Sequence, residues 1–376
     1  MILKTKGKTY DITRPIIGRV TRKTENHHYE ILLSENFFSK DWYHYKAVLT
    51  TSFISSSLEI PVVHSARNLD HLNEGDIIIV NTDGVVNTIY RAGSYHNFLL
   101  FTERCNSNCL MCSQPPKDRD DTEYFFHQYS QAIPLIPKDC VEIGITGGEP
   151  TLLGSRFLKL LSQLKDELPE TELHCLTNGR SFAWENTAKK VGEINNTRLM
   201  LAIPLYSDVY HIHDYIVQAK DAFNQTIQGI YNLAKYGQRI EIRIVLHKQT
   251  IPRLAKLAKF IYKNMPFVEH IAFMGLEHEG YTAFNIDKLW IDPMDYQQEL
   301  SDAISYLADF GMNVSIYNAQ LCTLPEHLWR YSRKSISDWK NIYFDECIKC
   351  SVLDQCGGMF ASGVKKHSEF IKAFVQ

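Results

Sequence analysis

Over the first 95 residues the apolar positions come in short runs: EILLS at 30–34, KAVLTTSFI at 46–54 and DIIIVN at 76–81. Gly, Asn and Asp bound these runs, as turns bound strands. Residues 1–95 are therefore expected to form a β-rich module, serving as a lid, an oligomerisation element or a substrate-docking unit. From about residue 97 the period changes. Strand-like runs recur at NFLLFTE (97–103), VEIGIT (141–146), ELHCLT (172–177), RLMLAIPLY (198–206), IEIRIVL (240–246) and HIAFMGL (270–276). Between them lie stretches such as SRFLKLLSQLKDEL and IPRLAKLAKFIYKN, with apolar residues three and four apart, the spacing of one helix face. Alternating β and α units predict a parallel sheet with right-handed crossovers. Six such units over 96–310 predict an α/β fold, a partial (β/α)6 barrel related to the eight-fold barrel, with functional groups at the C-terminal strand ends. After 311 the rhythm is expected to break, leaving 311–376 as a small cysteine-rich extension.

Composition narrows the setting. The 376 residues are 44% hydrophobic and 22% charged, which suits folded domains rather than a disordered chain. The formal net charge of -3 gives no global attraction to nucleic acid, and argues mildly against RNA. No run of 18 apolar residues occurs and MILKTKGKTYDITRP lacks the apolar core of a secretory signal, so the expected setting is the cytoplasm, without a membrane span. In a reducing compartment, clustered cysteines are read as metal ligands before disulfides.

The nine cysteines are unevenly spread: Cys105, Cys109 and Cys112 fall together, as do Cys347, Cys350 and Cys356, while Cys140, Cys175 and Cys322 stand apart. The first trio directly follows the first predicted barrel strand. Three thiolates at this spacing can wrap one cubane cluster; with three ligands instead of four, one iron keeps an open position. A structural zinc site, or a cluster with a distant fourth Cys, would use the same residues. Cys140 and Cys175, beside predicted strands, read as packed free thiols. One βα unit further on, Thr146-Gly147-Gly148-Glu149-Pro150 ends the second strand. Its glycines permit close backbone approach, and Pro150 suits the start of a helical turn.

A CxxxCxxC loop followed by GGEP resembles the radical S-adenosylmethionine (SAM) superfamily over roughly 97–310. The resemblance implies that Cys105, Cys109 and Cys112 ligate a [4Fe–4S] cluster whose fourth iron binds the amino and carboxylate groups of SAM. It implies that the turn Gly147, Gly148, Glu149 contacts the SAM amino group. Asn178, Ser207 and Arg243, at or near the third, fourth and fifth strands, match positions where members bind SAM; an Arg suits a carboxylate because its fork makes two parallel bonds. One departure is Met111, where an aromatic residue is common.

The second group, CxxCxxxxxC followed by Gly357-Gly358, resembles the extensions of radical SAM peptide maturases that carry auxiliary clusters. The two-cluster form has a further Cys where this chain has Phe360, so one auxiliary [4Fe–4S] cluster is expected, on Cys322, Cys347, Cys350 and Cys356. Structural zinc on the same four thiolates is the alternative. His211 and His213 are expected on a loop, lining the cavity mouth or facing solvent; Glu277, His278 and Glu279 follow the sixth strand and are candidates for the active-site wall. The run from Thr102 to Pro116, with the β-rich module and this length, resembles the His-Xaa-Ser system radical SAM maturases of the HxsC type. That resemblance implies a peptide or small protein substrate and an external electron donor. The rival expectations are a radical SAM enzyme acting on RNA or a small metabolite, and a non-catalytic cysteine-rich metalloprotein.

Overall fold

A computed structural model describes residues 3–23, 30–34, 40–55, 59–334 and 340–375, so parts of the expected N-terminal module and C-terminal extension lie outside the described residues. The N-terminal strands are β1 (Lys4–Lys6), β2 (Lys8–Tyr10), β3 (Ile16–Thr21), β4 (Ile31–Leu33), β5 (Ala47–Leu49), β6 (Val62–His64), β7 (Ile77–Val80) and β8 (Val85–Tyr90). They form one sheet in the order β1-β8-β7-β3-β4-β5-β6-β2. Its terminal strands β1 and β2 are separated only by Gly7, so the sheet curls until its two ends meet. A Cβ on Gly7 would stand 2.6 Å from the His64 carbonyl oxygen, a backbone approach only glycine allows. The run ILL of β4 is buried on both faces: Ile31 and Leu33 pack with Val20, Leu49 and Val63, and Leu32 packs with Trp42, Val48 and Val62. Two-sided burial explains why these runs are continuous instead of alternating.

The second sheet comprises β9 (His96–Leu100), β10 (Glu142–Thr146), β11 (Glu172–Leu176), β12 (Leu199–Pro204), β13 (Arg239–Val245), β14 (His270–Met274), β15 (Val314–Tyr317) and β16 (Ser332–Arg333), in the order β16-β15-β14-β13-β12-β11-β10-β9. From β11 to β16 every neighbouring pair is parallel. The helices are α1 (Thr122–Ala132), α2 (Ser155–Glu167), α3 (Glu185–Ile194), α4 (Tyr210–Val217), α5 (Ala222–Lys235), α6 (Leu254–Asn264), α7 (Tyr281–Phe284), α8 (Ile286–Leu289) and α9 (Gln297–Asp309). The second sheet is the curled parallel sheet of a partial barrel, and the first is a β-rich module. All six predicted barrel strands form within three residues of their expected limits.

The rhythm does not stop at 311. Helix α9 leads into β15, whose Val314, Ser315 and Ile316 are buried, and β16 follows in parallel. In NVSIYNAQ only two alternate positions are aliphatic, too few for the pattern to announce a strand. A small pair, β17 (Asn341–Ile342) and β18 (Met359–Phe360), completes the tail.

Two compact units divide the chain. The first holds Met1–Phe101, Thr122–Gly144 and Ser155–Glu172; the second holds Thr102–Asp121, Ile145–Gly154 and Leu173–Gln376. Within the second, β13 shows how the barrel is built. Ile240, Ile242 and Ile244 are buried on one face, while Glu241 and Arg243 alternate onto the other.

Candidate active site

The three-cysteine loop is held at several backbone points. Asp121 accepts from Thr102 Oγ1 at 2.5 Å and from the Glu103 N–H at 2.7 Å, closing the loop's base. Asn108 and Leu110 donate their N–H groups to the carbonyls of Val217 and Ile216 at the end of α4. Thr282 and Asn285 donate to the carbonyls of Met111 and Leu110, and the Tyr281 N–H donates to that of Cys112. A loop tied this way presents its thiols without further ordering.

All three thiols are partly buried. Burial, and next the Glu149 charge, pushes the Cys105 thiol up to about 11. Burial raises Cys109 further, with Cys105 and Cys112 adding to it, and burial also raises Cys112. Three thiolates here would repel one another in a low-dielectric pocket. Bound metal reverses that balance, because a coordinating thiol loses its proton outright. The donor set fits a cationic iron–sulfur cluster, and Cys105, Cys109 and Cys112 would hold it.

The glycine turn packs against the root of this loop. Gly148 donates its N–H to the Thr102 carbonyl at 2.8 Å, and Glu149 to that of Arg104 at 2.7 Å. A Cβ on Gly148 would lie 2.1 Å from the Arg104 carbonyl oxygen, and one on Gly147 would lie 2.4 Å from that of Thr102. The glycines thus let two backbone segments touch. Glu149 is 0% exposed. Its carboxylate accepts from the Thr151 N–H and hydroxyl, from Thr177 Oγ1 and from the Asn178 N–H, at 2.6–3.1 Å. Burial pushes this carboxyl up, and the four donors oppose it. Glu149 ties the ends of β10 and β11 together, and its side chain is committed to those internal bonds.

Asn178 continues the network. Its Nδ2 donates to Asn106 Oδ1 at 2.6 Å and stands 3.9 Å from Cys105 Sγ. Arg180, which the sequence reading passed over, donates to the Asn106 carbonyl, to Ser107 Oγ and to Gln225. Its only signal was a cation directly after the Thr177-Asn178-Gly179 turn. Cys105, Gly147, Gly148, Glu149 and Asn178 therefore meet in one network.

Ser207 and Arg243 stand outside it. Ser207 is fully buried, follows the end of β12, and its Oγ accepts the Val209 N–H at 3.1 Å, so it shapes the entry to α4. Arg243 bonds Glu241 at 3.3 Å and approaches Met274. Glu241 also pairs with His270 at 2.7 Å and with His174 at 3.3 Å. Burial raises this carboxyl, but its hydrogen bonds from His174 and His270, with the Arg243 charge, overcome that and hold it well below the usual range. Polar residues alternating with isoleucines along β13 were the signal for this lumenal cluster.

The expectation for His211 and His213 needs correction. Both lie in α4, not on a loop. His211 is exposed, whereas His213 is buried, stacks on Tyr206 and is held down to about 3 by burial, so it is a neutral packing residue. Of the other candidates, Glu277 pairs with Lys340 at 2.7 Å, the His278 N–H donates to Ser362, and Glu279 is exposed.

In the tail, Cys322, Cys347, Cys350 and Cys356 line one hollow together with Leu321 and Phe374. Burial raises Cys322 and Cys347, and each is further raised by other thiols of the set. The Phe374 N–H points at Cys350 Sγ at 3.5 Å. Four thiols around an apolar hollow fit an auxiliary cluster. Among the described residues, no three His, Cys, Asp or Glu side chains close on a single point as ligands of one metal ion would.

A family model described as the radical SAM superfamily matches residues 99–261. Among curated proteins, an uncharacterized protein of Methanocaldococcus jannaschii is 23% identical over 173 residues, 45% of this chain and 59% of that protein. The GTP 3',8-cyclase of Nautilia profundicola is 25% identical over 178 residues, 46% of this chain and 54% of the cyclase. The chain thus spans little more than half the length of these relatives. Among solved structures, Streptococcus suis SuiB aligns at a TM-score of 0.48 and 16% identity, covering 68% of this chain and 56% of SuiB. Native anSMEcpe with bound AdoMet aligns at 0.44 and 20%, covering 58% and 62%.

Proposed function

We propose that this chain is a radical SAM enzyme acting on a peptide or small protein. The observation that carries the reading is the three-thiol loop, tied down at its backbone and packed directly on the Gly147–Glu149 turn. Held by Cys105, Cys109 and Cys112, a [4Fe–4S] cluster would supply the electron for reductive cleavage of SAM, and SAM the radical that abstracts hydrogen. The chain's own part is positional. Cys105, Cys109 and Cys112 hold the cluster, and the backbone of 147–149 receives the SAM amino group. Asn178 orients the loop beside Cys105. Arg243, fixed by Glu241, offers its guanidinium to a carboxylate.

The tail supports a peptide substrate, because four thiols gathered in one cavity suit the auxiliary cluster of the peptide maturases that this segment resembles. The finer assignment, to His-Xaa-Ser system maturases, rests on the run 102–116 together with the β-rich module. An external reductant would deliver the electron, and the cytoplasm is the setting its reduced thiols suit; no described helix is long and apolar enough to cross a membrane. The second reading is a small-molecule substrate, favoured by the relative named GTP 3',8-cyclase.

The test is an anaerobic incubation of reconstituted protein with SAM and dithionite, read for 5′-deoxyadenosine by mass spectrometry, with iron and zinc quantified on the same sample. About eight irons per chain, the count for two four-iron clusters, with 5′-deoxyadenosine formed, is the expected result. No product, with zinc in place of iron, would overturn it. Turnover stimulated by GTP and not by any peptide would move the assignment to the second reading.

A further inference from the structure

A second cavity of the same unit lies between the C-terminal ends of β13, β14 and β15 and the tail, and nothing so far gives it a role. About 70 Å³ of it is open to the centre of a water-sized sphere, room for a small polar group. Gln320 and Met359 line both this cavity and the hollow of the tail cysteines. Leu276 belongs both to its wall and to the apolar group that packs Cys109. The cavity therefore sits beside both thiol sets.

Its chemistry is one-sided. Lys366, His278 and His367 line it, and no Asp or Glu is among its lining residues. Lys366 Nζ lies 4.9 Å from the centre of the Trp290 ring, another wall residue. Its ion-pair partner Asp287, at 3.4 Å, has a side chain 93% exposed, a pairing worth little in water. The opposite polarity comes from Asn318, which is 6% exposed and has a left-handed φ of 55°. Its Nδ2 donates to Asn341 Oδ1 at 2.8 Å, and Asn341 Nδ2 donates to the Gly357 carbonyl at 3.3 Å. That carbonyl can only accept, so both amides are fixed in orientation. Asn318 Oδ1 is left buried with no partner. That oxygen has under 1 Å² of accessible surface, so the groups able to meet an occupant are the cationic ones.

We propose that this cavity is the recognition pocket for an acidic residue of a peptide, whose carboxylate pairs with Lys366. The carboxylate is that of an Asp or Glu side chain or of the chain's C-terminus. The proposal deepens the reading of the chain as a peptide-acting enzyme and rests on it for biological meaning, but binding itself needs no turnover.

The experiment titrates three probes into the reconstituted full chain by saturation-transfer NMR: N-acetyl-Gly-Glu-Gly-amide, its Gln counterpart, and N-acetyl-Gly-Gly with a free carboxylate. The Glu probe is expected to bind roughly tenfold or more tightly than the Gln probe, the value of a charge-assisted hydrogen bond over a neutral one. Lys366→Gln should remove that preference. The free-carboxylate probe binding better than the Glu probe would assign the group to a chain terminus. Equal binding of the Glu and Gln probes, an unchanged preference in Lys366→Gln, or no binding of any probe at concentrations on the order of 10 mM, where even weak contacts register, would each overturn the proposal. Because 5′-deoxyadenosine formation is measured separately on the wild type, its absence would sink the enzymatic reading alone.

Discussion

Gly148→Ala isolates the claim that the glycine turn acts through backbone contact. The new Cβ would stand 2.1 Å from the Arg104 carbonyl oxygen, 2.5 Å from its carbon and 3.0 Å from the Cys105 nitrogen. The closest comfortable carbon–oxygen approach is about 3.3 Å, so one segment must retreat on the order of 1 Å. Every atom it meets is backbone, and no rotamer change relieves the clash. The retreat stretches the bonds from Gly148 and Glu149 to the carbonyls of Thr102 and Arg104, which are 2.8 and 2.7 Å long. Overpacking of this kind costs about 1–3 kcal/mol of stability. Its catalytic effect should be larger, since a displacement near 1 Å at a reacting centre can cost ~10²-fold in rate. The assay is the initial rate of 5′-deoxyadenosine formation, normalised to iron content, alongside urea unfolding. Gly93→Ala is the control, because a Cβ there meets nothing within 4 Å. A Gly148→Ala protein with wild-type rate and stability would refute the packing argument.

Further expectations concern single groups. Cys105→Ala, Cys109→Ala and Cys112→Ala should each abolish 5′-deoxyadenosine formation, and retained product in any of them would remove the catalytic assignment of the loop. Cys350→Ala should lower iron from about eight to about four per chain while the first cluster persists; unchanged iron with lost zinc would make the tail a zinc site. Glu149→Gln keeps the shape but turns an amide towards donors that now meet a donor, leaving a buried group unpaired, so urea unfolding should show a loss of about 1–3 kcal/mol. Glu241 has a folded pKa depressed below its unfolded value, so its contribution is present above the usual carboxylate pKa and is lost as pH falls towards the folded value. The stability gap between wild type and Glu241→Gln should therefore be full at pH 7 and shrink below about pH 4.5; a gap that widens on acidification would contradict the sign.

Much of this protein was legible in the chain. Six barrel strands could be placed because each is a bounded apolar run, and burial on a parallel sheet demands such runs whatever lies around them. The three-cysteine loop and the glycine turn could be read because their chemistry depends on residue type and close spacing, both local properties. Other features were decided by tertiary packing. The strand Val314–Tyr317 carries only two aliphatic positions and is a strand because it pairs with β14 and lies beneath α9. His213 looked like a cavity residue until α4 turned it against Tyr206. The partners of Glu149, three donor residues from two strand ends, come from segments up to 29 positions away. The gathering of Cys322 with Cys347, Cys350 and Cys356 spans more than thirty positions and depends on how the tail folds back. Sequence fixes what a residue can donate, accept or ligate; which of these it does depends on the groups that folding brings to it, and those groups come from distant segments.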